Sequence, residues 1–253
     1  MIKLNQIDAG YGSQKVLHSI HLSFPEKQIT SIIGRNGCGK STLLKVIGGF
    51  INPDRGQVIV DGVNLFSMEN GERARKMSYL PQSRSIPMIS VERMVLHGRF
   101  PYLSYPRRYG KEDKRIALEA MKRVGISHMK DRNLSQLSGG ERQKVYLAMA
   151  LAQSTDIILL DEPTTFLDIT YQLEVLKLLS ELREEGKTII TVIHDIDLAL
   201  RYSDQILVMK EGKVVLYEEP KKVYESGVLQ EVFHVNPCHV LDDDKEVYYF
   251  TEM

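Results

Sequence analysis

Gly34, Gly39, Lys40 and Ser41 stand in the stretch GRNGCGKST, residues 34–42, which follows the apolar run ITSII and leads into a second, LLKVIGG. Their types and spacing suit an anion. A helix N-terminus presents unpaired N–H groups and partial positive charge, so it can hold phosphate. Glycine admits positive φ and lets the backbone come close to a ligand. The G-x-x-x-x-G-K-[ST] spacing adds a lysine, Lys40, to reach the β- and γ-phosphates, and a hydroxyl, Ser41, to ligate Mg²⁺. Asn36, Gly37, Cys38 and Thr42 complete the residues expected to line the nucleotide. The bland alternative is an ordinary glycine-rich turn, but a strand pattern before the loop and a helix pattern after it supply the required context. The Cys38 sulfur could merely fill space. Beside Lys40 and a helix N-terminus, however, it is expected to favour thiolate and to react more readily than an ordinary buried thiol unless nucleotide covers it.

Two adjacent carboxylates, Asp161 and Glu162, close the apolar run DIILLDEP. Such a pair at the end of a buried strand is costly without compensation. Asp161 is expected to bind Mg²⁺, directly or through water, and Glu162 to polarise a water in line with the γ-phosphate. Their bland reading is a turn before Pro163. LSGGERQ, Leu137 to Gln143, is a second helix start bearing glycines. Ser138, Gly139 and Gly140 could bind phosphate by the same logic, although alone Ser138 and Glu141 read as a capping box. One γ-phosphate hardly needs two such loops from one chain. A dimer, in which each loop closes over nucleotide held by the other copy, resolves the excess.

The elements that position these groups follow from periodicity. MIKLNQID and VLHSIHLSF alternate as an antiparallel pair with one wet face, while QITSIIG suits a buried parallel strand. A helix is expected over about 41–49, then a strand pair in NPDRGQVIVDGVNL and a short strand in MSYLPQ. From Ile86 to Ala152 apolar residues recur at helical spacing, interrupted by the aromatic and basic stretch RFPYLSYPRRYG. Strands return in DIILLDEP, KTIITVIHD and DQILVMKEGKVVLYEE, with helices over about 170–185 and 195–202, and HVLDDDKEVYYF reads as a short hairpin. A helical segment thus interrupts an α/β domain.

The 253 residues carry 33 Lys and Arg against 33 Asp and Glu, which argues against a dedicated nucleic-acid binder. Two cysteines form no disulfide framework, so a reducing compartment is expected. The N-terminus lacks the apolar stretch of a signal peptide, and no window approaches the length of a membrane span. His234, Cys238 and His239 fit no strong metal motif. The basic aromatic stretch at 99–109 reads as a surface for a membrane partner rather than for nucleic acid.

The phosphate loop, LSGGERQ, IILLDEP and TVIHD, in this order and spacing, resemble the nucleotide-binding subunit of an ABC transporter over nearly the whole chain. The resemblance implies an α/β fold with a P-loop NTPase core, an N-terminal antiparallel β subdomain and an inserted α-helical subdomain. A single domain is expected over 1–253, with residues 86–152 as the insertion that carries the signature motif. It also implies two copies sandwiching two ATP molecules head to tail. Tyr11 matches the aromatic that stacks on adenine, and Gln82 the glutamine that contacts Mg²⁺. Asp168 matches the acid of the loop crossing the dimer interface, and His194 the histidine at the γ-phosphate. Phe166 departs from the commoner small or polar residue.

GRFPYL and EPTTFLDITYQLEVLKLL are similar to ATPases that serve iron-chelate, haem and vitamin B12 uptake. The implied role is the ATP-hydrolysing subunit of an importer at the cytoplasmic face of the membrane, with transmembrane permease subunits and an extracytoplasmic substrate-binding protein. An exporter ATPase would share the catalytic sequence. Repair relatives carry a long coiled-coil interruption, and translation relatives generally two cassettes in one chain, so a non-transport ATPase fits less well.

Overall fold

The structure, a computed structural model, describes residues 1–82, 86–165, 167–242 and 245–252. The chain begins with β1 (Ile2–Tyr11), β2 (Gln14–Phe24), β3 (Ile29–Gly34), α1 (Lys40–Ile47), β4 (Arg55–Val60) and β5 (Val63–Asn64). Next come α2 (Asn70–Lys76), β6 (Met77–Leu80), α3 (Val91–Leu96), α4 (Lys111–Arg123), α5 (Gly139–Ala152), β7 (Ile157–Asp161) and α6 (Ile169–Glu184). The remainder holds β8 (Thr188–Val192), α7 (Ile196–Tyr202), β9 (Gln205–Lys210), β10 (Lys213–Glu218), α8 (Pro220–Glu225), α9 (Val228–Phe233), β11 (Val235–Asp242) and β12 (Lys245–Glu252). These elements form two compact units, one of Met1–Met68 with Leu178–Met253, the other of Glu69–Lys177.

In the first unit β1 pairs antiparallel with β2 on one side and β4 on the other. Buried Ile2 and Leu4 alternate with exposed Lys3 and Asn5, as a sheet with one wet face requires. A different pattern marks β3 and β8, where every residue is buried. Strands buried along their whole length belong to parallel sheets covered on both faces. β3 runs parallel to β8 and to β9, pairing Ile32 with Val192 and with Leu207. That shared direction brings the loop after β3 and the turn after β8 out at the same end, the end where parallel sheets place ligands. Leu43, Leu44 and Ile47 of α1 are fully buried and anchor the helix behind its loop. The expected C-terminal hairpin is β11 with β12, closed by the pairing of Asp242 with Lys245.

The second unit contains the parallel pair β6 and β7, with Leu80 opposite Leu160, and the helices α2 to α5, while α6 ends in the first unit. Val145, Leu147, Ala148 and Ala152 are buried along α5, which packs against α3 and α4. The segment 86–152 lies wholly inside this unit. Part of the basic aromatic stretch turns inward rather than to a surface. Arg99 is buried, pairs with Asp113 at 3.1 Å and donates to the Ala152 carbonyl at 2.9 Å. Its guanidinium lies 4.0 Å from the Tyr102 ring centroid. Tyr105, by contrast, is 96% exposed.

Candidate active site

The phosphate loop leaves β3 through three glycines with positive φ, Gly34 (154°), Gly37 (79°) and Gly39 (104°). Two of them are also held by space. A Cβ on Gly34 would lie 2.4 Å from the Met209 carbonyl oxygen, and one on Gly39 would meet Leu17 at 3.0 Å. α1 then starts with no side-chain cap and no acidic residue in its first turn. The positive end of the helix therefore suits an anion. Lys40, 5% exposed, folds its Nζ back to donate to the carbonyls of Gly34 (2.8 Å) and Arg35 (3.1 Å). This draws a buried cation along the loop it is expected to serve. Asn36 and Gly37 are exposed, Ser41 is half-buried and Thr42 is buried.

Cys38 departs from expectation. It is 7% exposed, and burial pushes its thiol above the ordinary value, outweighing the opposing attraction of Lys40. Desolvation disfavours the thiolate more than one nearby cation favours it. The thiol is held protonated, against the expected thiolate.

Tyr11, at the end of β1, is half exposed, and Lys45 of α1 donates to its hydroxyl at 3.4 Å. His194, exposed, follows β8, just ahead of Asp195, which caps α7 by accepting from Asp197 N and Leu198 N. Ile193 N donates to Ile32 O at 3.3 Å and ties this turn to β3. Parallel pairing thus places His194 and the phosphate loop at one end of the same sheet.

In the second unit, Asp161 and Glu162 are 2% and 7% exposed. Asp161 Oδ2 accepts from the Tyr79 hydroxyl at 3.3 Å. Glu162 takes a left-handed backbone, φ 55°, which a non-glycine residue adopts at a cost of about 1–3 kcal/mol. Its Oε2 accepts from Gln82 Nε2 at 2.6 Å and from the Thr165 hydroxyl at 3.0 Å. The compensation that buried carboxylates require is visible here as neutral donors. Gln143, the last residue of LSGGERQ, donates to the Pro163 carbonyl at 2.9 Å. Gln172 of α6 reaches Thr164 O at 3.4 Å. Thr165 makes its contact within the turn, three residues after Glu162, whereas the contacts of Gln143 and Gln172 arise only when α5 and α6 flank the turn.

Ser138 and Glu141 form the capping box, with Ser138 Oγ accepting from Glu141 N at 3.2 Å and Glu141 Oε2 from Ser138 N at 2.7 Å. The Ser138 amide holds the Glu141 carboxyl below its ordinary value. Ser138 and Gly139 are exposed, and a Cβ on Gly139 would meet nothing within 4 Å. Gly140 sits against Leu167, 3.4 Å from its would-be Cβ. Asp168 is exposed and accepts from Tyr171 N at 3.0 Å, capping α6. Phe166 lies outside the described residues.

A strand-to-helix glycine loop with a buried lysine, and a parallel strand ending in two buried carboxylates, define a phosphate-handling α/β protein. Residues 17–165 match the model of the ABC transporter family, and the chain belongs to it. It is an ABC-type ATPase with the P-loop NTPase fold.

Among its relatives, the probable siderophore transport system ATP-binding protein YusV of Bacillus subtilis (strain 168) is 40% identical over 96% of this chain and 88% of its own. The ferric enterobactin transport ATP-binding protein FepC of Escherichia coli (strain K12) is 40% identical over 94% of this chain and 88% of its own. A putative metal-chelate type ABC transporter solved in an inward-facing conformation superposes with a TM-score of 0.86 at 25% identity, covering 100% of this chain and 97% of that one. A dimeric ATP-binding cassette in a post-hydrolysis state, bound to ADP and Pi, gives 0.77 at 31% identity, covering 87% and 99%. Among the described residues, no helix is long and apolar enough to cross a membrane.

Proposed function

We propose that this chain hydrolyses ATP to drive uptake of an iron chelate, haem, cobalamin or a related metal complex through separate permease subunits. The observation that carries this reading is the 40% identity, over 96% of the chain, to a siderophore transport ATP-binding protein. The phosphate loop and acid pair accompany it intact. The working form is a head-to-tail dimer at the cytoplasmic face of the membrane, supplied by an extracytoplasmic substrate-binding protein. Residues 86–152 act as its helical subdomain.

Each residue has a physical task. The amides from Gly34 to Thr42 cradle the phosphates, and Lys40 supplies charge at the β- and γ-phosphates. Tyr11 stacks on adenine. Glu162 accepts a proton from the water that attacks the γ-phosphorus; the bond to the β–γ bridging oxygen breaks, giving ADP and phosphate. His194 contacts the γ-phosphate. Ser138, Gly139 and Gly140 of one copy close over nucleotide bound by the other, and Asp168 crosses between them.

The donor set fits Mg²⁺: Ser41 offers a hydroxyl, Asp161 a carboxylate and Gln82 an amide carbonyl, all hard oxygens. When bound, the ion neutralises charge on the β- and γ-phosphate oxygens.

Uptake of radiolabelled iron chelate in a strain lacking this chain tests the reading. Wild type is expected to restore uptake and Lys40→Ala to leave it abolished, with a permease copurifying in both. Equal uptake with and without the chain, across siderophores, haem and cobalamin, would contradict it.

A further inference from the structure

We propose that Thr165 is a positioning residue for ATP hydrolysis, its hydroxyl holding the Glu162 carboxylate in the orientation from which it takes the proton of the attacking water. The proposal rests on the reading of Glu162 as the general base.

Two donors share one carboxylate oxygen. Gln82 Nε2 and Thr165 Oγ1 reach Glu162 Oε2 at 2.6 and 3.0 Å. They differ in what anchors them. Gln82 lies beyond β6, two residues past the last paired residue, and is itself proposed to turn its amide to Mg²⁺. Thr165 belongs to the turn of the base, and its own N–H donates to Glu162 O at 3.4 Å. When Gln82 engages the nucleotide, the Thr165 hydroxyl remains in the turn beside Glu162 Oε2.

The turn that carries this hydroxyl is fixed from both sides. Gln143 of α5 holds Pro163 O at 2.9 Å, and Thr164 O accepts from Gln172 of α6 at 3.4 Å and from Leu167 N at 3.3 Å. A free glutamate side chain samples many rotamers, and each wrong one removes the base from its water. A hydroxyl three residues on, with its position already set, selects among them without adding charge. A threonine that merely closes a local turn would make the same contact, so kinetics must separate the two roles.

The test measures steady-state MgATP hydrolysis by the purified chain carrying Thr165→Val, Thr165→Ser or Glu162→Gln. Thr165→Val keeps the shape and loses the donor; it is expected to lower kcat about tenfold, the scale of one hydrogen bond to a charged group, with KM within about twofold. Thr165→Ser restores most of the rate. Thr165→Ala repeats the loss should valine crowd the turn, and thermal melting of each variant verifies folding. A folded Thr165→Val or Thr165→Ala enzyme with normal kcat, alongside an inactive Glu162→Gln, overturns the role of Thr165 alone. Loss in Thr165→Ser equal to that in valine overturns it as well, since the donor is retained. Normal hydrolysis by Glu162→Gln overturns the underlying assignment instead.

Discussion

Gln82 Nε2 donates to Glu162 Oε2 at 2.6 Å because β6 and β7 run parallel in register. Leu80 pairs with Leu160, and two residues further on the glutamine and the glutamate meet. Strand pairing therefore connects the segment after β6 to the carboxylate that is proposed to activate water. Glu162 is buried, so its donors matter for stability as well as for chemistry.

Removing that donor should be felt in the fold. Gln82→Ala is expected to lower unfolding free energy by about 1–3 kcal/mol, the range for stripping a partner from a buried charged group. Urea denaturation measures it. An unchanged midpoint and slope would contradict a charge-assisted bond at this position.

In the proposed composite dimer, Ser138 stands against a phosphate held by the other copy. Ser138→Arg should leave ATP binding to a single chain intact and abolish ATP-dependent dimerisation and hydrolysis. It also removes the cap of α5, which alone amounts to about 1 kcal/mol. Ser138→Ala controls for that loss and should still dimerise. Mixing Ser138→Arg with Lys40→Ala gives a heterodimer with one intact site; size-exclusion chromatography with ATP is expected to show it. No ATP-dependent dimer in that mixture, while wild type dimerises, would contradict the shared site.

Burial reverses the expected reactivity of Cys38. With its thiol held above the ordinary value, the proton stays on through neutral pH, and thiolate gains only as pH rises past the usual thiol range. Maleimide at pH 7 should label half-buried Cys238 faster than Cys38, and raising the pH to about 9 should speed labelling at Cys38. MgATP should slow Cys38 further and leave Cys238 unaffected. Timed alkylation with peptide mapping reads both sites, and fast neutral-pH labelling of Cys38 would restore the thiolate reading.

The site residues are legible in the sequence where short-range rules act. Glycine at positive φ, a lysine at fixed spacing and an apolar run ending in two acids are local features, and β3, α1 and β7 stand where those features put them. The alternation of β1 and β2 is equally local. What escaped depends on distant chain. Lys40 lies beside Cys38 in sequence, but the burial that opposes its charge does not show there. Arg99 reads as part of an exposed basic stretch until Asp113 and the end of α5 enclose it. α2, α8 and α9 have seven, six and six residues, too few for helical periodicity to stand out. Gln143, twenty residues away, becomes a partner of the Glu162 turn only after folding.

Glu162 is proposed to activate water for ATP hydrolysis in a dimer, and single-turnover hydrolysis of γ-labelled ATP by Glu162→Gln isolates that role. The substitution keeps shape and removes the base. ATP affinity is expected to stay within about threefold of wild type. The hydrolysis rate should fall by at least about 10²-fold, the lower end of what general-base catalysis contributes. The variant should elute as an ATP-bound dimer. Phosphate release by Glu162→Gln at a rate near that of wild type would contradict the assignment.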